Sequence, residues 1–344
     1  MARAANLDSL DSWTLRALHL DLLGRPPLST ETERWCGRNT SELLEDMLGS
    51  DALWENWLEE QFFYFFLVDN FRPADAEILS LKSELGRGSI GVLQALYRII
   101  LSTSFDRRNP GPDTFVTVVM EQILGKNVQT EGKTLEIGKH IYDGSPGNFL
   151  GKKGSSQADV VRIAIEDELA VRHFLLREHR RMLRSDPDPK DLMEWTRRLK
   201  GDDRAFSPIL GEWIDSAAYL CRLSNRQPMP NRVYVRALFI DLVGRLPEGK
   251  ETQRMRSALD GLSDSGPLRS VIARLLLDSG TAQLPSKEEI TDPTAWIGAL
   301  FERLLGRPAS EAELAVFVKS FHDPVCRPET ILYAIVSHPQ YATW

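Results

Sequence analysis

Four glycines end the same apolar stripe, and this repetition constrains the chain more than any other feature. Counting back from Gly24 as zero, positions -9, -6, -5, -2 and -1 are Leu15, Leu18, His19, Leu22 and Leu23. That is the spacing of an amphipathic helix. The same offsets from Gly125 give Val116, Val119, Met120, Ile123 and Leu124, and from Gly244 Val235, Leu238, Phe239, Leu242 and Val243. From Gly306 they give Ile297, Leu300, Phe301, Leu304 and Leu305, so among the four copies only His19 is polar. A fifth, degenerate copy ends at Arg184, where Leu175, Met182 and Leu183 keep the stripe and Glu178 and His179 break it. Eleven residues after zero stand Trp35, Trp195, Met255 and Phe317; the Gly125 copy has Glu136 there and Ile137 one later. The zero positions are separated by 101, 59, 60 and 62 residues, so the first copy carries an insertion of about forty residues.

Within each unit the first helix is expected to stop at the glycine, which accepts the left-handed conformation common at helix C-termini, and a proline soon follows. Thr30-Glu31-Thr32-Glu33 and Ser310-Glu311-Ala312-Glu313 fit the capping box that restarts a helix. A third helix closes the unit, as in GPLRSVIARLLLDSG, and no convincing run of alternating strands occurs. The expected fold is all-α, an array of about five three-helix units with an insertion in the first. One unit cannot bury its stripes alone, so neighbours pack on a shared core. SNRQPMPN, residues 224 to 231, divides the chain into 1–225, with three units, and 226–344, with two. YDGSPGNFLGKKGSSQ, residues 142 to 157, reads as a flexible loop.

The chain has 344 residues, 42% of them hydrophobic, enough for a sizeable core, and a net charge of -7 makes nucleic acid an unlikely general partner. Cys36, Cys221 and Cys326 form no C-x-x-C pair, which removes zinc, thioredoxin and haem-attachment motifs. The first residues lack a signal-peptide apolar run, and no window reaches the ~18 apolar residues of a membrane span, so a cytoplasmic location is expected. The longest apolar run, FFYFFLV from Phe62 to Val68, reads as a buried helix segment, or as an interaction patch if exposed.

LRALHLDLLGRPPLSTETERW followed by LLEDMLGSDALWENWLEEQFF resembles a helical domain of unknown function that planctomycete-type bacterial proteins carry beside cytochrome c modules. Phe115 to Gly125 is similar to a later helix of that domain, and ALFERLLGRPASEAEL through VSHPQYATW is also similar to phycobilisome-linker-like helical repeats. The resemblance implies a helical, non-enzymatic module, and its linker-like part implies assembly of larger complexes. The haem association does not carry over, because this chain has no haem-binding cysteine pair.

Candidate chemistry is sparse. Arg25, Arg245 and Arg307, with Lys126 in the second copy, could bind an anion at the turn; the structural reading pairs each with the preceding helix end, with Asp21-Arg25 and Asp241-Arg245 as i, i+4 pairs. His19 is a hydrogen-bonded core histidine or faces a pocket. His173 and His179 sit in no H-E-x-x-H or E-x-x-H motif, GNFLGKKGSS lacks phosphate-loop spacing, and G-x-S-x-G is absent. No catalytic, metal or cofactor residue is assigned. The cluster Arg180, Arg181, Arg184, Arg197, Arg198 and Lys200 reads as an ion-paired face, with nucleic-acid binding as its alternative. The leading expectation is a scaffold, adaptor or assembly component that binds a protein partner or itself. Its candidate contacts are Phe62, Phe63, Tyr64, Phe65 and Phe66, Lys152 and Lys153 of the 142–157 loop, Arg180, Arg181 and Arg184, and Tyr341 and Trp344. The rival is an enzyme or small-ligand binder with a pocket between units that uses His19, Glu166 or the arginines.

Overall fold

The computed structural model describes residues 9–67 and 75–344. Val68 and the first eight residues, which carried part of the interaction-patch and leader readings, lie outside the described residues. The fold is all-α, and the described residues contain one two-stranded sheet. No described helix is long and apolar enough to cross a membrane.

The apolar stripes decide what is buried. In the four clear copies all twenty stripe positions are buried, the most exposed being Leu23 at 7%. The five zero positions share one backbone conformation: Gly24, Gly125, Arg184, Gly244 and Gly306 all lie in the left-handed region, with φ between 58 and 72°. Arg184 adopts it without being glycine, at a steric cost of about 1 kcal/mol. At Gly306 the space is also closed, since a Cβ there would stand 2.2 Å from the Trp13 ring. Before Gly125 and Gly306 the helix widens into a π turn, Val119–Ile123 and Phe301–Leu305.

The chain divides into two compact units, and the division is not a single cut. One unit joins residues up to Leu43 with Leu223–Trp344, and the other is Leu44–Arg222. The break at Arg222/Leu223 falls beside the proline-rich segment at 224–231. The first helices of the chain nevertheless belong with the C-terminal residues, unlike the 1–225 and 226–344 division read along the sequence.

In the first unit, helix Ser12–Leu23 packs against the Phe301–Leu305 turn. Arg16 forks onto Asp241 at 3.0 and 2.7 Å, both side chains about 95% buried, and the Tyr341 hydroxyl donates to the same carboxylate at 2.8 Å. The Trp344 indole donates to Asp21 at 2.8 Å. Backbone hydrogen bonds tie Gln227 to Trp344 and Met229 to Ala342. Tyr341 and Trp344, expected as contact residues, are therefore core residues, 0% and 5% exposed.

In the second unit, helix Asp51–Phe66 buries Phe62, Phe65 and Phe66. Phe65 and Phe66 both meet Phe105 edge-on, and Phe105 in turn meets Phe115. These three phenylalanines support the helix-segment reading and cannot serve as surface contacts. Residues 142 to 157 are a correction to the flexible-loop expectation. Gly147–Phe149 pairs antiparallel with Lys152–Gly154 around a two-residue turn, Leu150 and Gly151, both at positive φ. Phe149 is fully buried and fixes the hairpin to the core. Two strands of three residues are too short to show alternation in the sequence.

Candidate functional site

The repeated arginine after the turn has a repeated partner. Arg25 donates through both terminal nitrogens to Glu31, each at 2.6 Å, and through Nη1 to the Pro26 carbonyl at 2.9 Å. Arg245 does the same to Glu251 and the Leu246 carbonyl, and Arg307 to Glu313 and the Pro308 carbonyl. Each glutamate also accepts the backbone N–H that starts the next helix, from Leu28, Glu248 and Ser310 at 2.7 to 2.8 Å. One clamp thus satisfies a turn carbonyl and a helix start. At Glu313, hydrogen bonds from Arg307 and from the Ser310 N–H hold the carboxyl down to about 2. The arginine forks reach forward across the turn, instead of back to an aspartate four residues earlier. Lys126 keeps a reduced form of the clamp with Glu131 at 3.1 Å.

His19 is packed. It is 1% exposed, and its Nδ1–H donates to the Leu15 carbonyl at 2.9 Å, because a carbonyl can only accept. Nε2 lies 3.8 Å from Glu31, too far for a direct hydrogen bond. Burial pushes His19 down to about 4 despite that carboxylate, so the ring is neutral at pH 7. His179 occupies the same offset before Arg184, 4% exposed, with Nδ1–H donating to the Ser185 carbonyl at 2.8 Å and its ring against Trp213.

Glu178, the other polar residue on the degenerate stripe, is 1% exposed. It accepts from Gln61 and Arg177 on one oxygen and from Arg181 on the other, each at 3.1 Å. Burial alone would raise the carboxyl, but Arg181 and Arg177 outweigh it and keep it below its ordinary value. The wider basic cluster is ion-paired: Arg180 with Asp186, Arg197 with Glu194, Arg198 with Glu212, and Lys200 loosely with Glu168 at 3.6 Å. Phe63 is 49% exposed, and Lys152 and Lys153 are exposed on the hairpin. Tyr64 is half-buried, its hydroxyl donating to the Gln122 carbonyl at 3.1 Å. Among the described residues no group of three or more metal-ligating side chains converges, and no disulfide joins Cys36, Cys221 or Cys326.

The second unit has one feature that sequence reasoning could not assemble, a cleft of about 450 Å³. Leu93, Gln94 and Tyr97 come from helix Val92–Ile100, Arg162, Ile165 and Glu166 from helix Gln157–Ile165 and its end, and Leu199, Lys200 and Asp203 from helix Pro189–Gly201 and the turn after it. Val171 completes the apolar floor. Asp203 is turned into the start of the Val92–Ile100 helix, accepting from the Leu93 and Gln94 N–H groups at 2.6 and 2.9 Å. Burial pushes the Asp203 carboxyl up, against the lowering effect of those two hydrogen bonds. Gly91 permits this approach, since a Cβ there would lie 2.3 Å from Asp203.

No family model matches the chain, and neither does any curated protein or solved structure with which it was compared. The site must be judged on its own geometry. Of the expected site residues, Glu166 and Lys200 meet in this cleft, whereas His19 belongs to the other unit and to its core.

Proposed function

We propose that this chain is a non-enzymatic helical repeat protein that makes protein contacts, as a scaffold, adaptor or assembly component. The observation that carries the proposal is where polar and apolar side chains end up. The polar residues that recur at the turns are bound into clamps, while large apolar residues stand in solvent on the first unit. Val271 and Leu275, one turn apart on helix Gly266–Asp278, are 50% and 63% exposed, and Leu262 ahead of that helix is 48% exposed. Exposed apolar side chains at helical spacing suit a protein partner or a second copy. The resemblance to linker-like repeats supports an assembly role, and three cysteines outside any disulfide suit a reducing, cytoplasmic setting. The ion pairing of the basic cluster argues against nucleic acid as the partner.

The test is native mass across a concentration series, with co-purification from native lysate, for the unaltered chain and for Val271→Lys/Leu275→Lys. The expected result is self-association or a reproducible partner that the double variant loses. A monomer at every concentration, with no partner distinguishing the two chains, contradicts the proposal.

A further inference from the structure

Beyond the contact role, we propose that the cleft of the second unit binds a small organic carboxylate with an apolar body. The size is suitable, since pockets for small molecules run from roughly 300 to 1,000 Å³ and this one is about 450 Å³. Its floor is apolar, and the ligand class follows from which rim groups remain uncommitted.

Three of the four carboxylate oxygens on the rim are already engaged. Glu166 is bracketed by Lys152 at 2.9 Å and Arg162 at 3.5 Å, and Asp203 uses both oxygens on backbone N–H groups. A cationic ligand would find only the second Glu166 oxygen, beside the Lys152 and Arg162 charges, or would have to displace these partners. The donors are looser. Lys200 has only Glu168 at 3.6 Å, beyond direct hydrogen-bond distance, and Arg162 reaches Glu166 through Nη1 at 3.5 Å while Nη2 holds Asp159. The Gln94 side-chain amide and the Tyr97 hydroxyl make no hydrogen bond among the described residues. Lys200, Gln94 and Tyr97, with Arg162 only partly held, offer donors over an apolar floor, which matches one anionic oxygen group attached to a hydrocarbon body. A carboxylate there gains charge-assisted hydrogen bonds, and its apolar part leaves water.

Octanoate is the probe, with octanamide as its uncharged counterpart, each titrated into the full chain and followed by calorimetry and by amide NMR shifts. Octanoate should saturate one site, shift amides within 93–97, 162–166 and 199–203, and bind about tenfold tighter than octanamide. Lys200→Gln and Arg162→Gln should each weaken octanoate several-fold and leave octanamide unchanged. Tyr97→Phe, which removes only a hydroxyl, provides a variant with minimal effect on folding and should weaken octanoate in the same sense. No saturable binding up to about 10 mM, equal affinity for the two probes, shifts confined to other segments, or variants without effect would each overturn the assignment. None of these outcomes bears on the Val271/Leu275 surface, so this inference and the contact role stand or fall separately.

Discussion

At the scale of single residues, His19 shows how a side chain that suggests chemistry can serve packing instead. Phe239 and Phe301 hold the same offset in other copies, and all three are buried. The histidine brings a pH dependence that phenylalanine lacks. Its folded value of about 4 lies below the unfolded value of about 6.5, so the folded protein binds fewer protons between them. Its contribution is complete above the unfolded value and is lost as pH falls toward 4, by up to about 3 kcal/mol. Urea unfolding at pH 7 and pH 4.5 should therefore show a steeper acid loss for the unaltered chain than for His19→Phe; equal losses would contradict the neutral, packed assignment. Asp241 makes the complementary case for a buried charge. Asp241→Ala leaves Arg16 buried without its carboxylate and should cost about 3 to 5 kcal/mol, measured by denaturant unfolding, whereas Arg16→Met/Asp241→Leu should recover most of it.

At the scale of elements, the turn clamp differs between copies mainly in burial. The Arg25–Glu31 side chains are 10% and 27% exposed, against 46% and 32% for Arg245–Glu251. Glu31→Gln should cost about 1 to 2 kcal/mol and Glu251→Gln under about 0.5, in the same unfolding measurement. Equal costs would show that the fork geometry, and not burial, sets the strength. In the hairpin, Leu150 occupies the first turn position at φ 51°, a place that suits asparagine. Leu150→Asn should raise stability by about 0.5 to 1 kcal/mol, seen as a higher melting temperature; a lower one would mean that Leu150 packing outweighs the strain.

These elements also show what the sequence could reveal. The stripe was legible because helical burial follows a fixed spacing, and even His19, Glu178 and His179 obeyed it by finding polar partners inside. The clamp partner was missed because the i, i+4 rule searches within one helix, while the fork spans the turn. The signal was nevertheless present as an arginine one residue, and a glutamate seven residues, after three of the glycines. Tyr341 and Trp344 read as contact residues because their partners, Asp241 and Asp21, lie 100 and 323 positions away. The cleft was illegible for the same reason, its lining being drawn from three separated segments.

At the scale of the whole molecule, the central claim is that the first helices of the chain complete the unit built by its last third. Leu20 joins the core formed by Val235, Phe239, Phe301 and Tyr341, and Trp13 packs against it. Arg226 lies over the Trp13 ring at 4.2 Å while donating to the Leu305, Gln340 and Thr343 carbonyls. The Val271 and Leu275 surface belongs to this unit, so the contact role proposed for it would depend on a helix more than 200 residues earlier in the chain. The direct test is amide hydrogen exchange on the chain with and without residues 1–43. Removal should abolish slow exchange in Leu223–Trp344 and leave it intact in Leu44–Arg222. Unchanged protection in Leu223–Trp344, or loss confined to Leu44–Arg222, would contradict the account.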